Sequence, residues 1–419
     1  MANDLKKVDL IAAEAVMILE NNLVMAKKVH RGYEDEFEKS VNGYEPGESV
    51  SIRRPADFTV RSGAVASSQD VKEGKLPFTV NIQEGVDFEF TSKELTLDIK
   101  DISDRVMKPA LIQLANSVDR KIMDLYKYVP NWVGTPGQMV NSFTDFYKAP
   151  ERLDEYGVPN EMRCGVLSPA DHAALLGPQT ALYINDAAKG AYRSGKLGPL
   201  GGVETYMSQN VPTHTCGADT DDAGGAAVDG AWTASTIAYD DVKDLERTPQ
   251  TLTFDSFATA APALNPGDVF TVAGLYAVNP VTKARLPFLK QFTVISTANA
   301  ATNQVDVTFS PAAIWTGAHK NVDTDASDLD NAVVTFMGTG GENYRQNMVF
   351  HKNAFGLVMV PMVSPPGAVD VARKTHKGVS VRVIPVYDGT NDKSMYRLDI
   401  LYGVQAIDPR LATRLSGTP

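Results

Sequence analysis

Apolar positions along the chain follow three successive patterns. The first is helical. Val8, Ile11, Ala12, Ala15, Ile18 and Leu19 share one face of a 3.6-residue period, and Lys6, Lys7, Glu14 and Glu20 lie off it. This predicts an amphipathic helix over about 4–24, docked either on its own domain or on a neighbouring molecule. From 47 to 99 the period drops to two. Residues 49–54, 78–82 and 86–91 alternate apolar and polar side chains, as half-exposed strands do. A run of small residues, 61–68, lies between them as a soft tip. An excursion this thin has no core of its own, so Phe78, Ile82, Phe88 and Phe90 are expected to be buried by neighbouring molecules.

A long helix is predicted next. Pro109 suits a first turn, where its missing N–H costs nothing, and Leu111, Leu114, Val118, Ile122 and Leu125 then recur as one stripe before Pro130 closes it. From 140 to 212 helix and strand alternate. Residues 163–167 read as a buried strand. Ser168, Pro169 and Asp171 form a helix start, and Gly177-Pro178 is read as its stop.

The third pattern begins after a linker-like run, 217–226. Strand-like segments at 250–254, 269–275, 292–295, 304–309 and 332–336 are separated by turn signals such as Asn265-Pro266-Gly267. This predicts an all-β module inserted into another domain, with Leu252, Phe254, Val269, Phe270, Val272, Phe292, Val294 and Val307 inside and its two ends close together. Buried-strand patterns resume at 347–350, 356–363 and 379–386. No internal repeat is visible.

At 419 residues the chain exceeds what one core usually serves, so two or three domains are expected. The net charge of −11 argues against a dedicated nucleic-acid binder, which needs clustered Lys and Arg. It is compatible with a container whose lining must not grip its cargo. Cys164 and Cys216 make no disulfide framework, which suggests a reducing compartment. The first twenty residues carry charges throughout and do not read as a signal peptide, and no run of 18 apolar residues predicts a membrane span.

Candidate chemistry is sparse. Gly190 to Lys196 satisfies G-x-x-x-x-G-K, but Leu197 stands where a phosphate loop needs Ser or Thr for magnesium, and 198–202 cannot open a helix. Asp323, Asp325, Asp328 and Asp330 are dense, yet the loop lacks the glycine and the closing glutamate of a calcium loop, so a solvated acidic loop is expected. His30, His172, His214, His319, His351 and His376 show no metal-ligand spacing, and the closeness of His214 to Cys216 reads as coincidence. No cofactor, metal or catalytic residue is expected.

Four tracts nevertheless carry a collective resemblance. Residues 114–122 (LANSVDRKI) are similar to the long spine helix of tailed-phage capsid subunits. Residues 195–212 (GKLGPLGGVETYMSQNVP) resemble their glycine-punctuated strand, and 347–355 (NMVFHKNAF) resemble the strand and helix after the insertion. Residues 396–403 (YRLDILYG), with 409–412 (PRLA), resemble the C-terminal strand of one branch. That branch is the coat-protein family of short-tailed, lambda-related phages, which carries an inserted β-barrel domain. Residues 267–274 (GDVFTVAG) are similar to a strand of that insertion. The stretch 240–248 matches the family's protruding loop in place, not in residues.

The resemblance implies an α+β fold of the Hong Kong phage type, the tailed-phage major capsid fold. Its expected parts are an N-terminal arm (1–45), an extended β-loop (46–100), the spine helix of a peripheral domain (101–138), an axial domain (139–213 and 346–390), the inserted all-β domain (214–345) and a C-terminal strand region of the peripheral domain (391–419). It implies a structural protein that assembles into hexamers and pentamers of an icosahedral head. Scaffolding protein and portal are its implied partners, and double-stranded DNA the cargo, bound without sequence specificity. The expected location is the virion capsid, and the host cytoplasm during assembly, with no membrane. Expected assembly contacts are Arg53 and Arg54, and the loop residues Asp240, Asp241, Lys243, Asp244, Glu246 and Arg247. Two alternatives stand beside this: a nanocompartment shell protein enclosing enzymes, against which the 214–345 segment argues, and a phosphate-loop enzyme.

Overall fold

The computed structural model describes residues 4–34, 37, 49–53, 58, 60–61, 63–65, 68, 75–91, 106–180, 197–218, 225–233, 248–257, 262–301, 303–365, 371–376 and 379–419. The chain divides into two compact units. The first comprises Met1–Ser51, Pro77–Met123 and Phe355–Gln405, and the second Ile52–Leu76, Asp124–Ala354 and Ala406–Pro419.

In the first unit the N-terminal stripe forms helix α1 (Asp4–Asn22), with Ala12, Ala15, Val16 and Leu19 fully buried. It packs on α2 (Lys108–Met123) and on a sheet of strands Phe355–Met359, Lys393–Ala406, Val379–Asp388 and Ala372–His376. The stripe of α2 is buried at Leu111, Leu114, Val118 and Ile122, as its spacing requires. Strand Ile82–Thr91 joins the same sheet, running antiparallel to residues 393–402 over its whole length.

Here the structure corrects two expectations. Phe78 needs no neighbouring molecule: it is fully buried within its own unit, against Tyr33 and Phe37. Phe88 and Phe90 are half-buried, because Tyr396 of the paired strand stacks on Phe88 at 5.7 Å. The period-two pattern was right about strands, but a pattern does not show which distant segment pairs with them. The boundary expected at 390/391 also moves. Residues 382–388 pair with 393–399 in one hairpin, while Ala412–Leu415 joins the sheet of the second unit.

That second sheet runs in the order Trp132–Val133, Ala412–Leu415, Asn347–His351, Arg163–Leu167, Val203–Met207 and Pro199–Leu200. Its central three strands are buried at every residue, including the polar Arg163, Asn347 and Arg414, which find hydrogen-bond partners inside. Helices α3 (Phe143–Glu155) and α4 (Pro169–Thr180) belong to the same unit. The Ser142 side chain accepts the Asp145 N–H at the start of α3, and Ser168 does the same for Asp171 in α4. Gly177-Pro178 does not stop α4, which runs on to Thr180.

Strands Thr213–Thr215 and Asn343–Arg345 pair antiparallel, so residues 128 apart in sequence stand opposite each other. Between them the chain forms a seven-stranded sheet ordered Val322–Asp323, Val269–Val278, Arg285–Val294, Gln304–Ser310, Gln250–Asp255, Ala227–Val228, with Val334–Phe336 beside Val269–Val278. A bridge from Ala227 to Val333 closes the ring, and the Val334 N–H reaches the Ala226 carbonyl at 2.7 Å. Closure removes the sheet edges. The interior is aromatic: Phe254, Phe270, Phe292 and Phe309 are fully buried with successive ring centroids 5.1–5.5 Å apart.

Candidate functional site

Beneath this barrel lies a buried polar joint. Strand Thr213–Thr215 has only its middle residue inward, which places His214 in the interior. The Asn265-Pro266-Gly267 turn then delivers Asp268 against it. Gly267 sits at φ +105°, a conformation that favours glycine, and a Cβ there would press on the His214 ring at 3.1 Å.

His214 Nε2 lies 2.8 Å from Asp268 Oδ1, and Nδ1 lies 3.1 Å from the Tyr126 hydroxyl. Asp268 Oδ2 accepts the N–H groups of Asn265 (2.7 Å) and Gly217 (3.1 Å). A carboxylate only accepts, so Nε2 carries the proton and Nδ1 accepts from Tyr126. Burial holds His214 below the usual imidazole range, which agrees with that neutral tautomer. Burial pushes the Tyr126 phenol up to about 12, so it remains a donor.

Arg414 completes the joint. It is wholly buried, donates from Nη1 to the Gly267 carbonyl (2.7 Å) and from Nη2 to Thr293 Oγ1 (3.2 Å), and lies over the rings of Tyr126 and Trp132. Its pKa is lowered to about 10 by burial, which leaves it cationic at neutral pH. Trp132 is itself clamped by Gln291, which accepts the Trp132 N–H and donates to its carbonyl.

The donor atoms of His214, Cys216 and Asp268 lie within 4.8 Å of one another. Such a trio invites readings as a nucleophile with its base or as a metal site. The chemistry argues otherwise. Burial, then the Asp268 charge, pushes the Cys216 thiol up to about 12, so it is no thiolate. Both ring nitrogens and both carboxylate oxygens are already hydrogen-bonded, with a guanidinium nearby. The trio braces the Asn265-Pro266-Gly267 turn, and Arg414 of strand Ala412–Leu415 ties that turn to the six-stranded sheet. The sequence showed His214 and Cys216 together. It hid Asp268, 54 residues from His214, whose only signal was an acid between a turn glycine and an apolar strand.

Of the expected assembly contacts, Arg53 is exposed at the end of strand Ser49–Arg53. Arg54, Asp240, Asp241, Lys243, Asp244, Glu246 and Arg247 lie outside the described residues, as do 190–196. The run after Leu197 is a β-turn pair, Pro199–Leu200 with Val203–Met207, not a helix. The acidic loop is exposed at Asp325, Asp328 and Asp330, as a solvated loop is, and its carboxylates also take nearby partners. Asp323 pairs with Lys320 and Asp325 with Arg285, both at 2.6 Å, while Asp328 accepts the Trp232 N–H and Asp330 the Gly230 N–H.

Comparison with known proteins places this architecture. The family model described as "P22 coat protein - gene protein 5" matches residues 1–417. The major capsid protein of Acyrthosiphon pisum secondary endosymbiont phage 1 is 22% identical over 398 residues, covering 89% of this chain and 90% of the relative. Among solved structures, one from Mycobacterium phage Che8 is similar with TM-score 0.48 and 14% identity, over 94% of this chain and 90% of that one. The capsid of Cyanophage P-SCSP1u gives 0.44 and 11%, over 93% and 95%. With a family match over nearly its whole length, the chain belongs to the P22 coat protein family and is a structural major capsid protein of a tailed phage.

Proposed function

We propose that this subunit closes into hexamers and pentamers of an icosahedral head around double-stranded DNA, with scaffolding protein and portal as assembly partners, and that it catalyses no reaction. The observation that carries the reading is strand Ile82–Thr91. Among the described residues it pairs along one edge only, with strand Lys393–Ala406. A ten-residue edge of this kind is a template for another chain. Repeated weak contacts of this sort, summed over a closed shell, give a stable container from reversible steps.

The acidic balance supports a lining that confines DNA without gripping it. Segment 214–345 acts as an independently folding inserted domain, a reading supported by the paired neck strands and the closed barrel core. Its loop 240–247, with Arg53 and Arg54, makes inter-subunit ion pairs. Expression of the full chain with and without scaffolding protein, followed by electron microscopy, tests the reading: closed shells of uniform diameter are expected.

A further inference from the structure

The hairpin of strands Val379–Asp388 and Lys393–Ala406 carries apolar residues beyond the end of its own core. At its root Val379, Val381 and Val383 are fully buried, and α1 packs on this strand. Toward the tip the cover ends and the apolar residues continue. Val386 is 44% exposed, and Met395, directly opposite it, is 37% exposed. Tyr387 is 62% exposed, and strand alternation places it on the other face. That second face also carries Tyr396 and, from strand Ile82–Thr91, Phe88 and Phe90. These three are half-buried, with ring centroids 5.6–6.4 Å apart. An antiparallel ribbon with one wet face shows polar residues on it. This end is apolar on one face and aromatic on the other, a pattern that fits burial on both.

The tip is also held in shape. Asp388 accepts the Thr390 N–H and the Asn391 side-chain amide, and the Tyr387 hydroxyl donates to Asp392 at 2.9 Å, so docking costs little further ordering. Charges beside the patch are balanced. Lys393 pairs with Glu89 at 2.6 Å and Arg397 with Asp399 at 2.9 Å, while Asp87 stands opposite Arg397. That leaves no cation excess for a phosphate backbone. Met395 stands opposite Glu89, on the strand whose outer edge is open, so the patch and that edge form one continuous surface. We propose that the tip of this ribbon, residues 385–396 with 86–91, is gripped on both faces by a second copy of this chain. This rests on the assembly reading above, in which the subunit's partner along that open edge is itself.

The test places one new thiol on either face of the full-length chain, Val386→Cys or Tyr387→Cys. Cys164 and Cys216 are buried, so background alkylation is slow. Maleimide labelling is timed in unassembled subunits and in purified shells. Both thiols should react freely in subunits and roughly tenfold or more slowly in shells. A thiol on either face that labels as fast in shells as in subunits would overturn the two-sided grip. Protection that vanishes when scaffolding protein is extracted from the shells would give the surface to that protein and overturn the second copy. Tyr387→Ser is the second measurement. Its ring is mostly in water, so the subunit's melting temperature should stay near wild type, while the subunit concentration needed for shells rises roughly tenfold or more. Shells at the wild-type concentration would overturn the contact. Absence of shells from the wild-type chain would instead sink the assembly reading, and this proposal with it.

Discussion

The carboxylate of Asp119, on α2, accepts the backbone N–H of Val24 at 2.7 Å, just beyond the end of α1, and takes the Ala26 N–H on its other oxygen at 3.1 Å. Asp119 is 1% exposed, so one side chain in the long helix satisfies two backbone donors that would otherwise be buried unpaired. This contact fixes where the chain goes after its first helix.

Asp119→Ala should therefore loosen the N-terminal segment, at a cost of about 2–4 kcal/mol from two orphaned amides. Hydrogen exchange at Val24 and Ala26 should accelerate at least tenfold, while exchange in the barrel stays unchanged. The pH dependence has a definite sign. Burial raises the Asp119 pKa above its ordinary 3.8, so its contribution is greatest below that value and declines as pH rises through the raised one. Mild acidification from neutral pH should not release the segment at this site.

The joint beneath the barrel responds oppositely. His214 is held below 6.5 in the fold, so the unfolded chain takes up the proton first. Stability from this group is full above pH 6.5 and lost as pH falls toward the depressed value, by up to about 1.4 kcal/mol per unit. A melting series from pH 7.5 to 5 should show this slope in wild type and a flatter one in His214→Gln, which itself is destabilised by about 2–3 kcal/mol because Asp268 and Tyr126 lose a partner.

Phe270 stands at the centre of the aromatic core, with Phe254, Phe292 and Phe309 all within 5.5 Å by ring centroid. Phe270→Ala should cost about 3–5 kcal/mol. Segment 214–345 expressed alone should melt cooperatively with dispersed amide signals, and the same substitution should lower its melting temperature. A disordered spectrum for the wild-type segment would remove the independent domain from the account.

Lys196 should have no nucleotide chemistry. Leu197 occupies the place of the magnesium-binding hydroxyl and is buried, and the chain beyond it turns into a strand pair. Calorimetry with ATP and magnesium should show no saturable binding in wild type or in Lys196→Ala. Binding lost on that substitution would reverse this conclusion.

How much of this was legible in the sequence follows from the range of each interaction. The stripe of α2, the buried strand 163–167 and the alternation at the start of strand Gln304–Ser310 are local patterns, and each stands where its period put it. Pairings between distant segments were hidden. Nothing near Phe88 announces that Tyr396 will stack on it, and nothing near His214 announces Asp268. Arg414 is the clearest case. In sequence it is an ordinary cation near the end of the chain, yet it is wholly buried between two rings, because only a third strand and a distant turn supply its acceptors.

The central claim is assembly through the β-excursion, and one deletion tests it most directly. Removing residues 60–72 spares both strand Ile82–Thr91 and the helices of the first unit, so the subunit should stay folded. Electron microscopy and sedimentation of the purified deletion, produced with scaffolding protein, should show soluble subunits and no closed shells, while wild type gives shells of uniform size. Shells of normal diameter from the deletion would contradict the account.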